Sequence, residues 1–249
     1  MATRISSTEL AGMDAFRASL SGNAACGVTL DRLCAVGQYR TLLRGNEIRG
    51  HRHRDRIIFI ISGAAKLIAA TATARIAEGN ASGVAEDASA RIPHILAFHF
   101  SGDVVSVVNE GDGDLRLAAL TDLDLVVFSS EQFLDVAQDD PAIMRAVLSR
   151  SVQALHLSQT KMIEIGHRSA RQRIAGFLVC MAQRVGGCTA GACEFSLPMT
   201  RKDIADSLGL TIETVSRQLA ILNKAELIET RGRNGLRISD VTKLKFESG

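Results

Sequence analysis

Apolar residues follow two rhythms along this chain. From Gly37 to about Phe133 they come in short runs, "RIIFIISG", "AKLIAAT", "HILAFHF", "DVVSVV", "LRLAAL" and "LDLVVF", punctuated by Gly, Asp, Asn and Ser. Runs of this length and β-branched content predict the strands of a small antiparallel barrel or roll. The stretch 71–93, "TATARIAEGNASGVAEDASARIP", is rich in Ala, Gly and Ser and reads as a loop inserted between two strands. Residues 1–36 have weak helical character without strong periodicity and read as an N-terminal arm.

After "QDDP" the spacing becomes helical. Asp140 is placed to cap and Pro141 to take the first helical position of a helix running to about Ile165. Along it Met144, Leu148, Ser151, Leu155, Ser158, Met162 and Ile165 recur at heptad spacing, the pattern of a seam that packs against a copy of itself. The other reading is an amphipathic helix lying on its own barrel, and Ile143 and Val147 offer a second apolar stripe for that. A further helix is predicted over 169–185, with Ile174, Phe177, Leu178 and Met181 on one face, ended by the glycines between 186 and 191.

Two short helices follow in "LPMTRKDIADSLGLTIETVSRQL". Thr200 and Asp203 form a capping-box-like start, Ile204 and Leu208 face inward, and Gly209 breaks the first helix. Thr211 caps the second, whose Val215, Leu219 and Leu222 form the inward face and leave Glu213, Ser216, Arg217 and Ala220 opposite. Two helices joined by a "GL" turn make a helix-turn-helix, which lays its second helix in a DNA major groove. Glu213 can accept from cytosine N4, Arg217 can bond guanine O6 and N7 together, and Ser216 suits either partner or a thymine methyl. The plainer reading of Glu213 and Arg217 is a solvated i, i+4 ion pair.

"LIETRGRNGLRISD" (227–240) then reads as a hairpin around an Asn234-Gly235 turn, a wing. Arg231 and Arg233 at its tip are candidates for phosphate contact, with Thr200, Arg201, Thr211 and Thr214. The plainer role of the two wing arginines is to keep a hairpin soluble.

Composition changes this picture little, and charge changes it more. With 46% hydrophobic residues the chain can fill the cores of two domains, and its net charge of +2 is uninformative as a total. Up to residue 160 there are 15 Lys and Arg against 18 Asp and Glu; beyond it there are 14 against 9. An acidic front and a basic back suit a polyanion partner for the back. No window approaches the ~18 apolar residues of a membrane span, and residues 1–20 lack the apolar core of a secretory signal, so a cytoplasmic protein is expected. Five cysteines, an odd number in a chain of 249, do not look like a secreted disulfide framework, and reduced thiols are expected.

The sequence resembles the Crp/Fnr family of bacterial transcription regulators over nearly its whole length. The helix-turn-helix stretch is similar to that family's signature, and "ETVSR" matches its Fnr/FixK branch, which pairs Glu, Ser and Arg at these three positions. "RQRIAGFLVCMAQR" is similar to the family's helix after the dimer helix, and "FIISGAAKL" and "FHFSGDVV" resemble strands and glycine turns of its cyclic-nucleotide-binding-like barrel. The resemblance implies an α+β chain with a β-roll, a long dimerisation helix and a C-terminal winged helix-turn-helix. The expected division is arm 1–36, β-roll 37–138, dimerisation helix 139–167 and DNA-binding domain 168–249. It also implies a homodimer on double-stranded DNA that reads a TTGA-type inverted repeat, with RNA polymerase as a further partner.

What the front half senses is less legible. Cyclic AMP needs an acidic residue for the ribose and an arginine for the phosphate after a Gly-rich turn; "SGDVVSVVNEGDGDLRLAALTD" (101–122) has glycines and Arg116 but not that arrangement. An iron-sulfur cluster needs four thiolates, in Fnr proteins three in the arm and one in the barrel, whereas here the arm offers Cys26 and Cys34 and residues 37–179 have no cysteine. His51 and His53 in "RGHRHRDR", with His94 and His99 around "HILAF", leave haem or a metal open as a ligand, against ordinary surface histidines; the Arg/His run could equally touch another protein such as the polymerase. Cys180, Cys188 and Cys193 could be a redox-sensitive or metal-binding trio or incidental thiols.

The reading is therefore a regulator answering to oxygen, redox or nitric oxide status, or acting without a ligand. The alternative is a haem- or thiol-based sensor that needs its cofactor to bind DNA. An enzyme using Cys180 or Cys193 as nucleophile with His167 as base finds no supporting fingerprint. A third class, an adaptor that keeps a winged helix without reading DNA, differs in its salt dependence and site preference.

Overall fold

The structure, a computed structural model, describes residues 7–21, 27–49, 55–72, 91–108, 114–232 and 234–249. His51 and His53, Cys26 and nearly all of the expected inserted loop fall outside them. The chain divides into two compact units, one of residues 1–17 and 31–136, the other of 18–30 and 137–249.

The first unit is built on strands. Two helices, α1 (Ser7–Ser21) and α2 (Gly27–Val36), each divided between the units, precede β1 (Gln38–Leu42), β2 (Glu47–Arg49), β3 (Arg56–Ser62), β4 (Ala64–Ala72), β5 (Arg91–Phe100), β6 (Val104–Val107), β7 (Asp114–Ala119) and β8 (Leu123–Ser129), with α3 (Ser130–Ala137) after them. They form two four-stranded antiparallel sheets in the orders β1-β8-β3-β6 and β2-β7-β4-β5. Alternation along each strand sends one set of side chains inward. Ile48, Ile58, Ile60, Ala65, Val105, Leu117, Leu123 and Leu125, drawn from both sheets, share one core. This is a β-roll of the cyclic-nucleotide-binding-like kind.

Gly63 lets the chain pass from β3 in one sheet to β4 in the other. Its φ of +92° is in the left-handed region, and a Cβ there would run into the Asp122 carbonyl oxygen. Nearby, Asp124 gathers the Tyr39 hydroxyl at 2.7 Å, the Thr41 hydroxyl at 2.9 Å and the Ser62 hydroxyl at 3.0 Å. These donors, the Tyr39 hydroxyl foremost, hold its carboxyl below the ordinary value of 3.8 against the opposing effect of desolvation.

A carboxyl lowered on folding stabilises the native state above its ordinary value, and this contribution is lost as pH falls through the lowered one. Tyr39→Phe is therefore expected to lower the unfolding temperature of this unit near neutral pH. The gap from the parent chain should narrow as pH falls below the carboxyl's ordinary value. Thermal unfolding followed across pH checks this; a gap that does not change with pH would contradict it.

The second unit is mainly helical. It contains α4 (Pro141–His167), α5 (Ala170–Arg184), β9 (Cys193–Ser196), α6 (Arg201–Leu208), α7 (Ile212–Lys224), β10 (Ile228–Arg231), β11 (Gly235–Ile238) and α8 (Val241–Ser248). Asp140 caps α4 as expected, its Oδ1 accepting from the Ala142 N–H at 2.9 Å and the Ile143 N–H at 3.3 Å. Ser169 caps α5 through a reciprocal box with Gln172.

Three features differ from the sequence reading. The strands β10, β11 and β9 form one antiparallel sheet in that order, so the wing has a third strand. Arg231 pairs with Gly235, which places the wing's turn at 232–234, led by Gly232 at φ +59°, rather than at a two-residue Asn234-Gly235 turn. Cys188 and Cys193 are joined by a disulfide, which corrects the expectation of reduced thiols.

Candidate nucleic-acid interface

Local chemistry fixes the pair of helices α6 and α7. The Thr200 side chain accepts from the Asp203 N–H at 3.1 Å, and Asp203 in turn accepts from the Thr200 N–H at 2.9 Å and its hydroxyl at 2.7 Å. Two of the donors left open at the helix start are satisfied in this way. Gly209, at φ +62°, caps the other end in the left-handed conformation and turns the chain, and the Leu210 N–H bonds the Ala205 carbonyl at 3.0 Å. Arg173 of α5 donates to the Leu208 carbonyl at 2.7 Å, placing a cation at the negative end of α6. Thr211 then caps α7 by accepting from the Thr214 N–H at 3.2 Å.

On α7 the inward face is Val215, Leu219 and Leu222, all buried. Glu213, Arg217 and Ala220 are exposed, and Ser216 is half-buried. The Glu213 carboxyl is held below its ordinary value by its own backbone N–H and then by the Thr211 hydroxyl, so it is an ionised acceptor near neutral pH. Ser216 accepts a long bond, 3.4 Å, from Arg201 Nη1, which links the start of α6 to the exposed face of α7. Thr214 is half-buried, and its hydroxyl accepts from that of Thr211 at 3.1 Å.

The wing looks different from a pair of bare cations. Arg231 reaches both oxygens of Glu194 on β9 through Nη1, at 3.0 and 3.1 Å, and forks onto Glu229 through Nε at 3.2 Å and Nη2 at 3.1 Å. Its charge is thus already matched by two carboxylates. Arg233 lies outside the described residues. Sequence reasoning missed both glutamates; Glu229, two residues from Arg231 on one strand face, was visible in the alternation, but Glu194 becomes a neighbour only once β9 joins the sheet.

The residues read as a pairing seam lie along α4. Leu148 and Leu155 are 65% and 60% exposed, Ser151 and Ser158 are exposed and Met144 is half-buried. The side chains of Met162 and Ile165 are outside what the structure describes. Val152 and Ile163, 57% and 62% exposed, add to the apolar stripe and were not singled out by the heptad count. Large apolar side chains exposed in a row along one helix are surface open to a partner.

Among the described residues no group of three or more His, Cys, Asp and Glu is placed to hold a metal. His99 Nδ1 lies 3.1 Å from Asp103 Oδ2, and Arg116 faces Glu47 at 3.5 Å. Cys180 is exposed on α5 outside the disulfide, and Cys34 is half-buried. No helix among the described residues is long and apolar enough to cross a membrane.

A capped two-helix pair with a left-handed glycine turn, flanked by a three-stranded sheet whose hairpin β10-β11 follows α7, defines a winged helix-turn-helix. Residues 172–246 match the Crp-like helix-turn-helix domain family. The chain is 32% identical over 137 residues to the transcriptional activator protein FnrL of Cereibacter sphaeroides, covering 53% of this chain and 55% of that one. It is also 32% identical over 137 residues to the nitrogen fixation regulation protein FixK of Rhizobium meliloti, covering 55% and 60%. The matches thus span little more than half the length of these relatives. The whole fold resembles that of FixK2 from Bradyrhizobium japonicum, with a TM-score of 0.67 at 24% identity over 86% of this chain and 98% of that one. It resembles a CooA variant from Carboxydothermus hydrogenoformans similarly, with a TM-score of 0.66 at 20% identity over 90% and 91%. Residues 172–246 thus match the Crp-like helix-turn-helix domain family, and the chain as a whole has the fold of FixK2.

Proposed function

We propose that the protein is a homodimeric, sequence-specific DNA-binding transcription regulator that recognises a TTGA-type inverted repeat. The observation that carries this reading is the face of α7: Glu213 and Arg217 stand exposed one turn apart, over a fully packed inner face. An ionised carboxylate and a guanidinium at this spacing are a cytosine acceptor and a guanine fork, and Ser216 between them tolerates a thymine. The Arg201, Thr200, Thr211 and Thr214 side chains flank the two helix starts, where backbone N–H groups favour a phosphate.

The exposed stripe of α4 supports pairing with a second copy. Its heptad spacing with Ser151 and Ser158 as small positions fits a close helix–helix seam, and two copies would set their α7 helices about 34 Å apart on one face of the duplex. FnrL and FixK carry the words activator and regulation in their names, which favours a regulator over an enzyme and RNA polymerase as a further partner in the cytoplasm. The signal is oxygen, redox or nitric oxide status, or none at all.

Binding to a full inverted repeat and to a duplex with one half-site, each across a salt series, tests the reading. The full site is expected to bind far more tightly, with log K falling by about 0.9 for each phosphate neutralised per decade of salt. Equal binding to both duplexes, or binding indifferent to salt, would overturn it.

A further inference from the structure

We infer that Cys188 and Cys193 form a reversible dithiol–disulfide site that sets how firmly Glu194 holds Arg231, and through it the affinity of the wing for phosphate. The coupling half of this inference and the reducing compartment both rest on the DNA-binding reading above; the thiol-tagging test of the redox site does not.

The bond joins cysteines five positions apart, between the end of α5 and the start of β9. A regulator that meets DNA works in a reducing compartment, where a disulfide persists only if it is formed and broken in use. The surroundings suit both states. Gly186 leaves the room that the Cys193 sulfur occupies, since a Cβ there would approach it to 2.5 Å. Sγ of Cys188 lies 3.2 Å from the Gly186 carbonyl oxygen and Sγ of Cys193 lies 3.9 Å from that of Ala182, so each S–H has an acceptor once the bond is broken.

The two sulfurs are unequal in access, which orders the chemistry. Cys188 is half-buried and Cys193 only 3% exposed. An external thiolate attacks Cys188 Sγ, the Sγ–Sγ bond breaks, and its electron pair leaves on Cys193 Sγ, which takes a proton. A second external thiolate attacks the outer sulfur of the mixed disulfide and releases the Cys188 thiolate, which is protonated in turn. Two external thiols become one disulfide, and the cysteine pair gains two electrons and two protons; oxidation is the reverse.

The consequence runs through β9. It is a four-residue edge strand, bonded on one side only, to β11. The disulfide tethers its first residue, and the next residue is Glu194, whose two oxygens hold Arg231 Nη1. With the tether cut, the start of β9 can fray from the sheet and Glu194 loosens, which leaves Arg231 held by Glu229 alone and its Nη1 open to a phosphate. The Gly191 carbonyl inside the same loop accepts from the Val241 N–H at 2.8 Å, so α8 also registers the change.

The test uses the full chain equilibrated over a series of reduced-to-oxidised glutathione ratios. Thiols are trapped with a mass-tagged maleimide and located by peptide mass, and affinity for the inverted-repeat duplex is measured at each ratio. The expected result is that Cys188 and Cys193 gain tags together within the series, that affinity rises several-fold over the same interval, and that the salt slope steepens by about 1 per chain. Cys188→Ser should fix the reduced-like affinity, and Glu194→Gln should give it at every ratio while the pair still titrates. A pair that stays oxidised or stays reduced throughout would overturn the redox site. A pair that titrates while duplex affinity stays constant would overturn the link to Arg231. Absence of specific DNA binding in every state would overturn the DNA-binding reading and the link with it, while the tagging result alone still decides the redox site.

Discussion

Replacing Leu148 and Leu155 together by Glu is expected to leave the chain folded but monomeric, and to weaken its binding to a full inverted repeat by about 10²- to 10⁴-fold. Both side chains are more than half exposed in the single chain, so the substitution removes little of its own core. Their place at heptad positions of α4 puts them at the centre of the proposed seam, where two facing carboxylates would lose apolar contact and repel. Once pairing fails, the second α7 helix no longer binds as a tethered partner, and only half-site affinity remains. Sedimentation of the variant with circular dichroism as a folding control, followed by duplex titration, checks both halves. A variant that stays dimeric would move the interface elsewhere.

Arg217→Ala is expected to cost about 1–3 kcal/mol in affinity for the inverted repeat and to relax discrimination at the guanine it reads. Arg217 is exposed on α7, so the loss reports recognition rather than folding. Glu213→Gln should weaken discrimination at the partnering cytosine in the same way, since it exchanges a carboxylate for an amide that presents a donor as well. Competition with duplexes changed one base pair at a time measures this. An equal loss on every sequence would show that Arg217 touches only phosphate.

How far the sequence carried these conclusions depended on whether the cause was local. Thr200, Asp203, Gly209 and Thr211 act on neighbours within a few residues, and the two helices they bound could be read directly. Asp140 before Pro141 announced α4 in the same way, and the apolar runs of β3 to β8 were long enough to stand out. The strands β1 and β2 were not, because "QYRTL" and "EIR" bury few side chains and show no apolar run. The wing misled for a local reason: Asn-Gly suggests a two-residue turn, but Gly232 offers an earlier left-handed position, and the pairing of Arg231 with Gly235 leaves three residues between the strands.

What stayed hidden was whatever depends on the folded arrangement. Cys188 and Cys193 are close in sequence, yet their bond depends on the end of α5 turning back onto β9. Glu194 and Arg231 are 37 residues apart and meet only across the sheet. The wing therefore read as a free basic tip, whereas the fold holds its one described tip arginine between two acids.

The most direct test of the account is a titration of the purified chain with a TTGAT-N4-ATCAA duplex and with a scrambled duplex of the same composition, at one fixed salt concentration, with stoichiometry measured. The account predicts two chains bound per specific duplex and an affinity at least about 10³-fold above that for the scrambled one. One chain per duplex, or equal affinity for both sequences, would contradict it.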